Sequence, residues 1–198
     1  KDFKFVIGYS SVSHMGFVLL GLATLNTIGV TGAALQMFSH GIIAGLLFAV
    51  VGRMVYERTH TRELSVLEGM RLSKAMPFPA VTFVIASVAS MGLPGFSGFV
   101  AELQVLSGAW KSYPTLAVIT GVGILIGVAY TLRVVQKAFF GEEERRSPAR
   151  DGDGDSHADL EVGAPMEPIS VQERLGAALL IGAALLIGLF PRLLLDII

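Results

Sequence analysis

Long apolar stretches alternate with shorter polar ones along the chain. Each apolar stretch is close to or longer than the ~20 residues that a helix needs to cross ~30 Å of hydrocarbon. They lie near residues 5–25, 32–55, 78–110, 115–138 and 173–190. Lipid offers backbone groups no hydrogen-bond partner outside a helix or a closed barrel, and the alternation of barrel strands is missing. The pattern therefore predicts an all-α fold, a polytopic membrane helix bundle with about five transmembrane helices.

The third apolar stretch is too long for one straight crossing. Its 33 residues would extend ~50 Å as a continuous helix. In its middle stands LPGFSGFVAEL, where Pro94 removes a backbone donor, Gly95 relaxes the chain and Ser97 can cap a new helix. We therefore expect a helix that is discontinuous at Leu93–Ser97. A proline kink without further purpose is the alternative, and the nearby carboxylate of Glu102 favours a functional break.

Composition excludes several classes of function. Of the 198 residues, 53% are hydrophobic and 16% charged, with a mean hydropathy of +0.65, which is typical of membrane proteins. The chain has no cysteine, so it cannot itself form disulfides or ligate an iron–sulfur cluster through thiolates. Its sequence also lacks phosphate-binding glycine loops and nucleophile elbows. We expect no bond-making chemistry, no cofactor in this chain and no nucleic-acid partner.

Basic residues predict the orientation of the bundle. Lys and Arg are retained on the cytoplasmic side of short loops. With the N-terminus of this chain inside, 13 of the 15 Lys and Arg residues fall in inside segments, and only Lys111 and Arg192 fall outside. We therefore expect the N-terminus to be cytoplasmic and the C-terminus to be on the outer side.

Two polar segments are expected on the inside. Residues 53–77 carry both signs of charge and have room for a short interfacial helix. Residues 139–172 are rich in Asp, Glu, Gly and Pro, which is typical of a flexible loop. The Asp-Gly-Asp-Gly-Asp run of the second segment lacks the spacing of a calcium-binding EF-hand. A last transmembrane helix is expected over residues 173–198.

Glu102 is the residue that lipid should tolerate least. A charged side chain near the bilayer centre costs at least ~2.5 kcal/mol on insertion scales. Trp110, Lys111 and Tyr113 indicate the outer interface, so Glu102 lies ~12 Å inside that boundary. A desolvated carboxyl at this depth can hold and exchange a proton near neutral pH. The alternative is a carboxylate that is simply paired with a basic residue or a helix end.

Two histidines fall within predicted transmembrane helices, each with a polar neighbour one turn away. Ser10 precedes His14 by four residues, and Gln36 precedes His40 by four. An imidazole can both donate and accept a proton, so the two histidines and Glu102 predict a proton pathway, with Ser10 and Gln36 in support. For either histidine alone, an interhelical hydrogen bond is the alternative.

Lys4 is a weaker candidate for a supporting polar role. It lies one turn from the inner end of the first helix, so its ammonium can snorkel to the interface, and an interfacial anchor is the favoured interpretation. No metal site is expected, because the histidines are too few and their neighbours are weak ligands.

Four segments resemble one known family. They are KDFKFVIGYSSVSHMGFVLLGL, QMFSHGIIAGLLFAVVGRMVYERTHTRE, MGLPGFSGFVAEL and TLRVVQKAFFG. Together they resemble the C-terminal portion of subunit M of the bacterial proton-pumping NADH:quinone oxidoreductase, complex I, whose mitochondrial counterpart is NADH dehydrogenase subunit 4. The likeness is specific in the first 141 residues and weak in the acidic segment that follows.

The resemblance implies an antiporter-like, proton-conducting subunit built from inverted repeats, each with one discontinuous helix. Residues 1–138 would be a partial second repeat with four transmembrane helices. Glu102 would be the terminal proton-exchange residue, and His14 and His40 would belong to the polar axis that joins two half-channels. NADH:quinone electron transfer would take place in other subunits, so this chain would be part of a translocase.

The resemblance also implies partners and a location. The partners would be the lipid bilayer, other antiporter-like membrane subunits of complex I and a missing N-terminal part of the same subunit, since the chain begins at Lys1 directly before an apolar helix. The location would be the bacterial inner membrane.

Two other interpretations stay open. A subunit of a Mrp-type cation/proton antiporter or of a membrane-bound hydrogenase belongs to the same superfamily. An inactive, truncated membrane scaffold, whose polar residues only join helices, is the alternative from a different class. The scaffold predicts that Glu102 and the two histidines face neighbouring helices without a connected hydrated axis.

Overall fold

The structure, a computed structural model, describes residues 3–61, 67, 72–140 and 168–196. Within these ranges every regular element is helical, which confirms the predicted all-α membrane bundle. The six long helices are α1 (Phe3–Ala23), α2 (Thr27–Phe48), α3 (Pro77–Ser90), α4 (Ser97–Ser112), α5 (Pro114–Phe140) and α6 (Val171–Leu189). The same ranges hold a π-helix and three short helices, at Ala49–Tyr56, Glu57–Thr59, Leu72–Ala75 and Arg192–Leu195.

In the described part of the chain, four helical runs are long and apolar enough to cross a membrane. They are α1 from Lys4 onward, the run Thr27–Thr59 that begins with α2, α5 and α6. The fifth predicted crossing consists of α3 and α4, which have 14 and 16 residues. These lengths correspond to ~21 Å and ~24 Å, so neither helix alone spans ~30 Å of hydrocarbon. The third crossing is therefore made of two half-helices, as predicted.

The break between α3 and α4 covers residues 91–96 and starts two residues earlier than expected. Gly92 and Gly95 both have positive φ, at +70° and +106°, a conformation that glycine adopts without steric cost. The expected N-cap is wrong, because Phe96 stands at the N-cap of α4 in an extended conformation and makes no side-chain cap hydrogen bond. Ser97 is instead the first helical residue, and its Oγ lies 2.6 Å from Ser39 Oγ of α2.

Helix α2 lies at the centre of the bundle, where it packs against α1, α3, α4 and α6. Its contact with α4 depends on small residues. A Cβ atom on Gly108 would lie 2.5 Å from the backbone N of Gly29, and one on Gly32 would lie 2.7 Å from the backbone N of Val105. Small side chains at such positions let transmembrane helices approach closely. The seam between α2 and α4 therefore has no room for larger groups.

Helix α6 is joined to the end of the α2 run by an ion pair. Arg58 Nη2 donates to Glu173 Oε2 at 2.9 Å, and Nη1 donates to Oε1 at 3.2 Å. Both side chains are less than a tenth exposed. Glu173 also closes a capping box with Ser170 at the start of α6. Near its other end, α6 packs on the break, since a Cβ on Gly188 would collide with the Gly95 carbonyl.

Part of residues 53–77 and most of residues 139–172 lie outside the described residues, which omit 62–66, 68–71 and 141–167. The expected interfacial helix within 53–77 and the expected flexible loop over 139–172 therefore stay predictions. Next to the second segment, α5 extends to Phe140 and α6 begins at Val171.

Candidate functional site

Three helices bring the predicted titratable residues together. His14 lies in the middle of α1, His40 in the second half of α2, and Glu102 in the second turn of α4. Only 7% of the Glu102 surface is exposed. The imidazole rings of His14 and His40 are 5.1 Å apart between centroids, and His14 Nδ1 lies 3.6 Å from Glu102 Oε1. The three residues therefore form one cluster inside the bundle.

His14 is held at both ring nitrogens. Gln36 Nε2 lies 3.2 Å from His14 Nδ1, and Ser90 Oγ, at the end of α3, lies 3.2 Å from His14 Nε2. An amide nitrogen only donates, so Nδ1 accepts from Gln36. A neutral His14 then carries its proton on Nε2 and donates it to Ser90. This arrangement fixes the ring between α2 and α3, beside the Glu102 carboxyl.

A proton can pass between Glu102 and His14 with small rearrangements of the side chains around them. The 3.6 Å between Oε1 and Nδ1 is longer than a hydrogen bond, so the two atoms must move a few tenths of an ångström closer or share a water. Gln36 Oε1 is buried and has no partner among the described residues. Rotation of the Gln36 amide would offer that oxygen to a proton on Nδ1. The cluster can thus hold the proton on either Glu102 or His14.

The break in the third crossing lies directly against the acid. A Cβ atom on Gly92 would lie 2.5 Å from Glu102 Oε2, so the carboxyl packs on bare backbone. Pro94, by contrast, is exposed, and the Gly95 carbonyl faces Gly188 of α6. The two predicted break residues shape the turn, whereas Gly92 makes the contact with Glu102.

Two small cavities adjoin the cluster. The acid cavity, about 30 Å³ in volume, lies between α1, the break and α5, and its lining includes Ser10, His14, Ser90 and Glu102. The histidine cavity, about 10 Å³, is lined on its polar side by His14, Gln36, Ser39, His40, Ser90 and Glu102. A water molecule needs roughly 10 to 15 Å³ of such volume and two or more polar partners. The acid cavity satisfies both conditions.

The three supporting residues predicted from the sequence lie at different distances from the cluster. Gln36 contacts His14 directly, and Ser10 lines the acid cavity. Lys4 is exposed in the first turn of α1, ten residues and therefore ~15 Å from His14. Of the cavities found among the described residues, neither the acid cavity nor the histidine cavity has Lys4 in its lining. Its position agrees with the interfacial anchor.

Sequence reasoning missed several residues of the site. They are Ser39, Ser90, Gly92, Ser97, Tyr130 and Thr131. Serine, threonine and glycine are common in transmembrane helices, so their presence carries no signal on its own. Three of them adjoin predicted features: Gly92 precedes the predicted break, Ser97 ends it, and Ser39 precedes His40.

Comparison with known proteins finds similar sequences over most of the chain. Residues 1–127 match the family described as NADH:quinone oxidoreductase/Mrp antiporter, TM. Subunit M of the NADH-quinone oxidoreductase of Rickettsia prowazekii (strain Madrid E) is 42% identical over 142 residues, which are 72% of this chain and 28% of the relative. Chain 4 1 of the NAD(P)H-quinone oxidoreductase of Synechococcus sp. (strain JA-3-3Ab) is 40% identical over 194 residues, which are 94% of this chain and 34% of the relative.

Two solved structures are similar over nearly the whole chain. One is respiratory complex I from Thermus thermophilus with bound NADH, with a TM-score of 0.80 and 33% identity over 96% of this chain and 36% of that chain. The other is the Mrp complex from Dietzia sp. DQ12-45-1b, with a TM-score of 0.75 and 29% identity over 96% of this chain and 40% of that chain. The chain spans about a third of the length of these relatives.

Proposed function

Because the chain belongs to the NADH:quinone oxidoreductase/Mrp antiporter family, we propose that it conducts protons across a membrane as part of a multisubunit complex. The observation that carries the proposal is the buried cluster of His14, His40 and Glu102 beside the broken helix, with the acid cavity at its edge. Ionisable groups within membrane-spanning segments are costly and are by default candidates for an ion or proton pathway.

In this proposal Glu102 is the residue that loads and releases the proton. Glu102 takes the proton from His14 Nδ1, and His14 receives it from the side of His40, whose tilted ring lies 5.1 Å away between centroids. Imidazoles suit this task because one nitrogen can accept while the other donates. Proton release to the outer side would follow from the position of Glu102 in the outer half-helix, α4.

The complex would be a proton-pumping NADH:quinone oxidoreductase. The relatives that are about 40% identical are subunits of quinone oxidoreductases, whereas the Mrp complex is 29% identical. Electron transfer from NADH to quinone would occur in other subunits, and its energy would reset the protonation of Glu102. A Mrp-type antiporter or a membrane-bound hydrogenase is the second candidate, which the similarity to the Mrp complex supports.

The proposed location is the bacterial inner membrane, with the N-terminus of this chain in the cytoplasm and the C-terminus outside. The apolar runs support the membrane, and the distribution of Lys and Arg supports the orientation. The proposed partners are neighbouring antiporter-like membrane subunits and the upstream part of the same subunit, since relatives are about three times as long.

Replacement of Glu102 by Gln in the assembled complex tests the function. Glu102→Gln keeps the shape but cannot ionise, so we expect proton pumping per NADH oxidised to fall about tenfold or more. Pumping is measured in inverted membrane vesicles by quenching of a pH-sensitive dye, alongside NADH oxidation. Glu57→Gln is the matched control, because Glu57 is half-exposed in a surface ion pair with Arg53. Unchanged pumping in Glu102→Gln would favour the inactive scaffold.

A further inference from the structure

The half-helix α4 has no continuous connection to α3 that would fix its position. The break at residues 91–96 contains two glycines with positive φ, so α4 is held by the contacts of its own surface. Across this surface, Glu102 Oε1 lies 3.6 Å from His14 Nδ1. A shift of α4 by one residue along its axis would move the carboxyl by ~1.5 Å. The contacts that hold α4 therefore decide whether the acid and the imidazole stay within reach of each other.

At its start, α4 is joined to α2 by a contact between two serines. Ser97 Oγ lies 2.6 Å from Ser39 Oγ, and both residues are fully buried. Farther along, the two helices meet through Gly32 and Gly108, each directly against the backbone of the other helix. Glycine surfaces set how closely two helices approach, but they interlock less than large side chains do. The register of α4 along α2 therefore depends on directional contacts at its ends.

At its other end, α4 is joined to the connection between α1 and α2 by the side chain of Asn26. Asn26 Nδ2 donates to the Gly108 carbonyl at 2.9 Å and to Ser112 Oγ at 3.0 Å. Asn26 Oδ1 accepts from the backbone N of Gly29 at 2.9 Å, which caps α2. Ser112 Oγ donates in turn to the Thr24 carbonyl at 3.0 Å. These five residues, which we name the Asn26 network, tie the ends of α1, α2 and α4 together.

The partners of Asn26 fix the orientation of its amide. A rotated amide would place its oxygen against the Gly108 carbonyl and its NH₂ group against the N–H of Gly29. The preceding residue, Leu25, has a φ of +51°, although its side chain is 88% exposed. This left-handed conformation is sterically unfavourable for leucine, and an exposed side chain does not compensate for it through packing. The hydrogen bonds of Asn26 therefore hold the connection in this conformation.

We infer that Asn26 is a positioning residue for the proton transfer between His14 and Glu102. It holds the end of α4 in register with α1 and α2, the serine contact holds the start, and Glu102 lies between these two points. Gly108 is six residues beyond Glu102, which is ~9 Å along the helix, so Asn26 acts through α4 rather than on the proton itself. This inference rests on the proposed proton conduction and adds a residue on which it depends.

Asn26→Ser separates the network from the helix cap in the assembled complex. Serine caps a helix about as well as asparagine, but its side chain ends one atom earlier and cannot serve all three partners. We expect Asn26→Ser and Asn26→Ala to lower pumping per NADH by a similar factor, about fivefold or more, because small misplacements of reacting groups slow their reaction strongly. A loss in Asn26→Ala alone, or in neither variant, would overturn the inference.

Ser170→Ala is the control for loss of a cap. Ser170 Oγ accepts from the backbone N of Glu173 at the start of α6, far along the chain from the Asn26 network. We expect this variant to keep pumping per NADH close to that of the unaltered complex. A fivefold loss in Ser170→Ala would show that any lost cap impairs pumping, and the inference would fail.

Ser112→Ala tests the network without altering the cap of α2, and it serves if the Asn26 variants do not assemble. It removes one of the two acceptors of Asn26 Nδ2, so we expect a smaller loss of pumping, about twofold. Ser107→Ala is the matched control, because Ser107 is exposed on the same helix and donates to the Leu103 carbonyl. Equal pumping in the two variants would contradict the inference.

Combination with Glu102→Gln shows whether Asn26 acts through the acid. Effects of residues that act through one group are not additive. We therefore expect Asn26→Ser to cause no further loss in the residual pumping of Glu102→Gln, and a further fivefold loss would overturn the inference. If Glu102→Gln reduces pumping but Asn26→Ser does not, the inference fails while the proposed function stands. If Glu102→Gln leaves pumping unchanged, the proposed function itself fails.

Discussion

At the scale of single residues, the contact between Gly92 and Glu102 explains why a broken helix and an acid occur together. Gly92 adopts a φ of +70°, and its missing side chain leaves the space in which the carboxyl lies. Directly before this turn, Ser90 at the end of α3 lies within reach of His14. The break therefore creates the environment of the acid and does more than shorten the crossing.

Gly92→Ala should impair this environment. The new Cβ would sit 2.5 Å from Glu102 Oε2, and the left-handed backbone adds about 1 kcal/mol of strain. We expect the displaced carboxyl to reduce pumping per NADH several-fold, measured in the same vesicle assay. Gly95→Ala is the matched control, because its φ is also positive but its Cβ would meet open space. Equal losses in both variants would attribute the effect to backbone strain alone.

At the scale of helices, α6 is held at both ends, to the α2 run at its start and to the broken crossing near its end. The Arg58–Glu173 pair joins its first turn to the end of the α2 run, and Gly188 lies on the Gly95 carbonyl. A bidentate pair between arginine and carboxylate is stronger than a single contact and fixes orientation as well as distance. Helix α6 thereby keeps the turn that carries Gly92 in position.

Removal of this clamp should lower stability. Glu173→Gln loses the charge that accepts from both Arg58 nitrogens, and we expect a loss of about 1.5 to 3 kcal/mol in the free energy of unfolding. A lower thermal midpoint of the detergent-solubilised protein would report it. Glu57→Gln removes an exposed pair at i,i+4 and should cost only about 0.5 kcal/mol. Similar midpoints for the two variants would contradict the proposed role of the clamp.

At the scale of the whole molecule, burial is unevenly distributed among the helices. In an apolar 18-residue window of the α2 run, 44% of the residues are buried, whereas in the corresponding window of α5 only 6% are buried. The outer face of α5 is therefore available to lipid or to another subunit.

Single introduced cysteines can report the orientation, because these 198 residues contain no cysteine of their own. Lys74→Cys, just before α3, should react with a membrane-impermeant maleimide in inverted vesicles. Lys111→Cys, in the last turn of α4, should react in spheroplasts. Both positions are exposed. The opposite pattern of labelling would reverse the orientation inferred from the positive charges.

The residues that sequence reasoning found are those that interrupt an apolar pattern with a titratable group. His14, His40 and Glu102 each do so, and the structure places them side by side. Ser90 and Gly92 do not stand out, because their contacts depend on how the end of α3 and the turn after it pack against α1 and α4. The misplaced cap at Ser97 has the same origin, since a hydroxyl there finds Ser39 on another helix. Helices and their interruption follow from local pattern, whereas contacts between helices do not.

The close seam between α2 and α4 has a mechanical consequence. With backbone against backbone at Gly29 and Gly108, these two helices have little compliance and should move as one body. Helix α5 buries few residues in the described structure, among them Ala117, Ala138 and Phe139. It is therefore the side of the acid cavity that is held least tightly by packing. A displacement of α5 would widen the acid cavity while the distance between His40 on α2 and Glu102 on α4 stays constant.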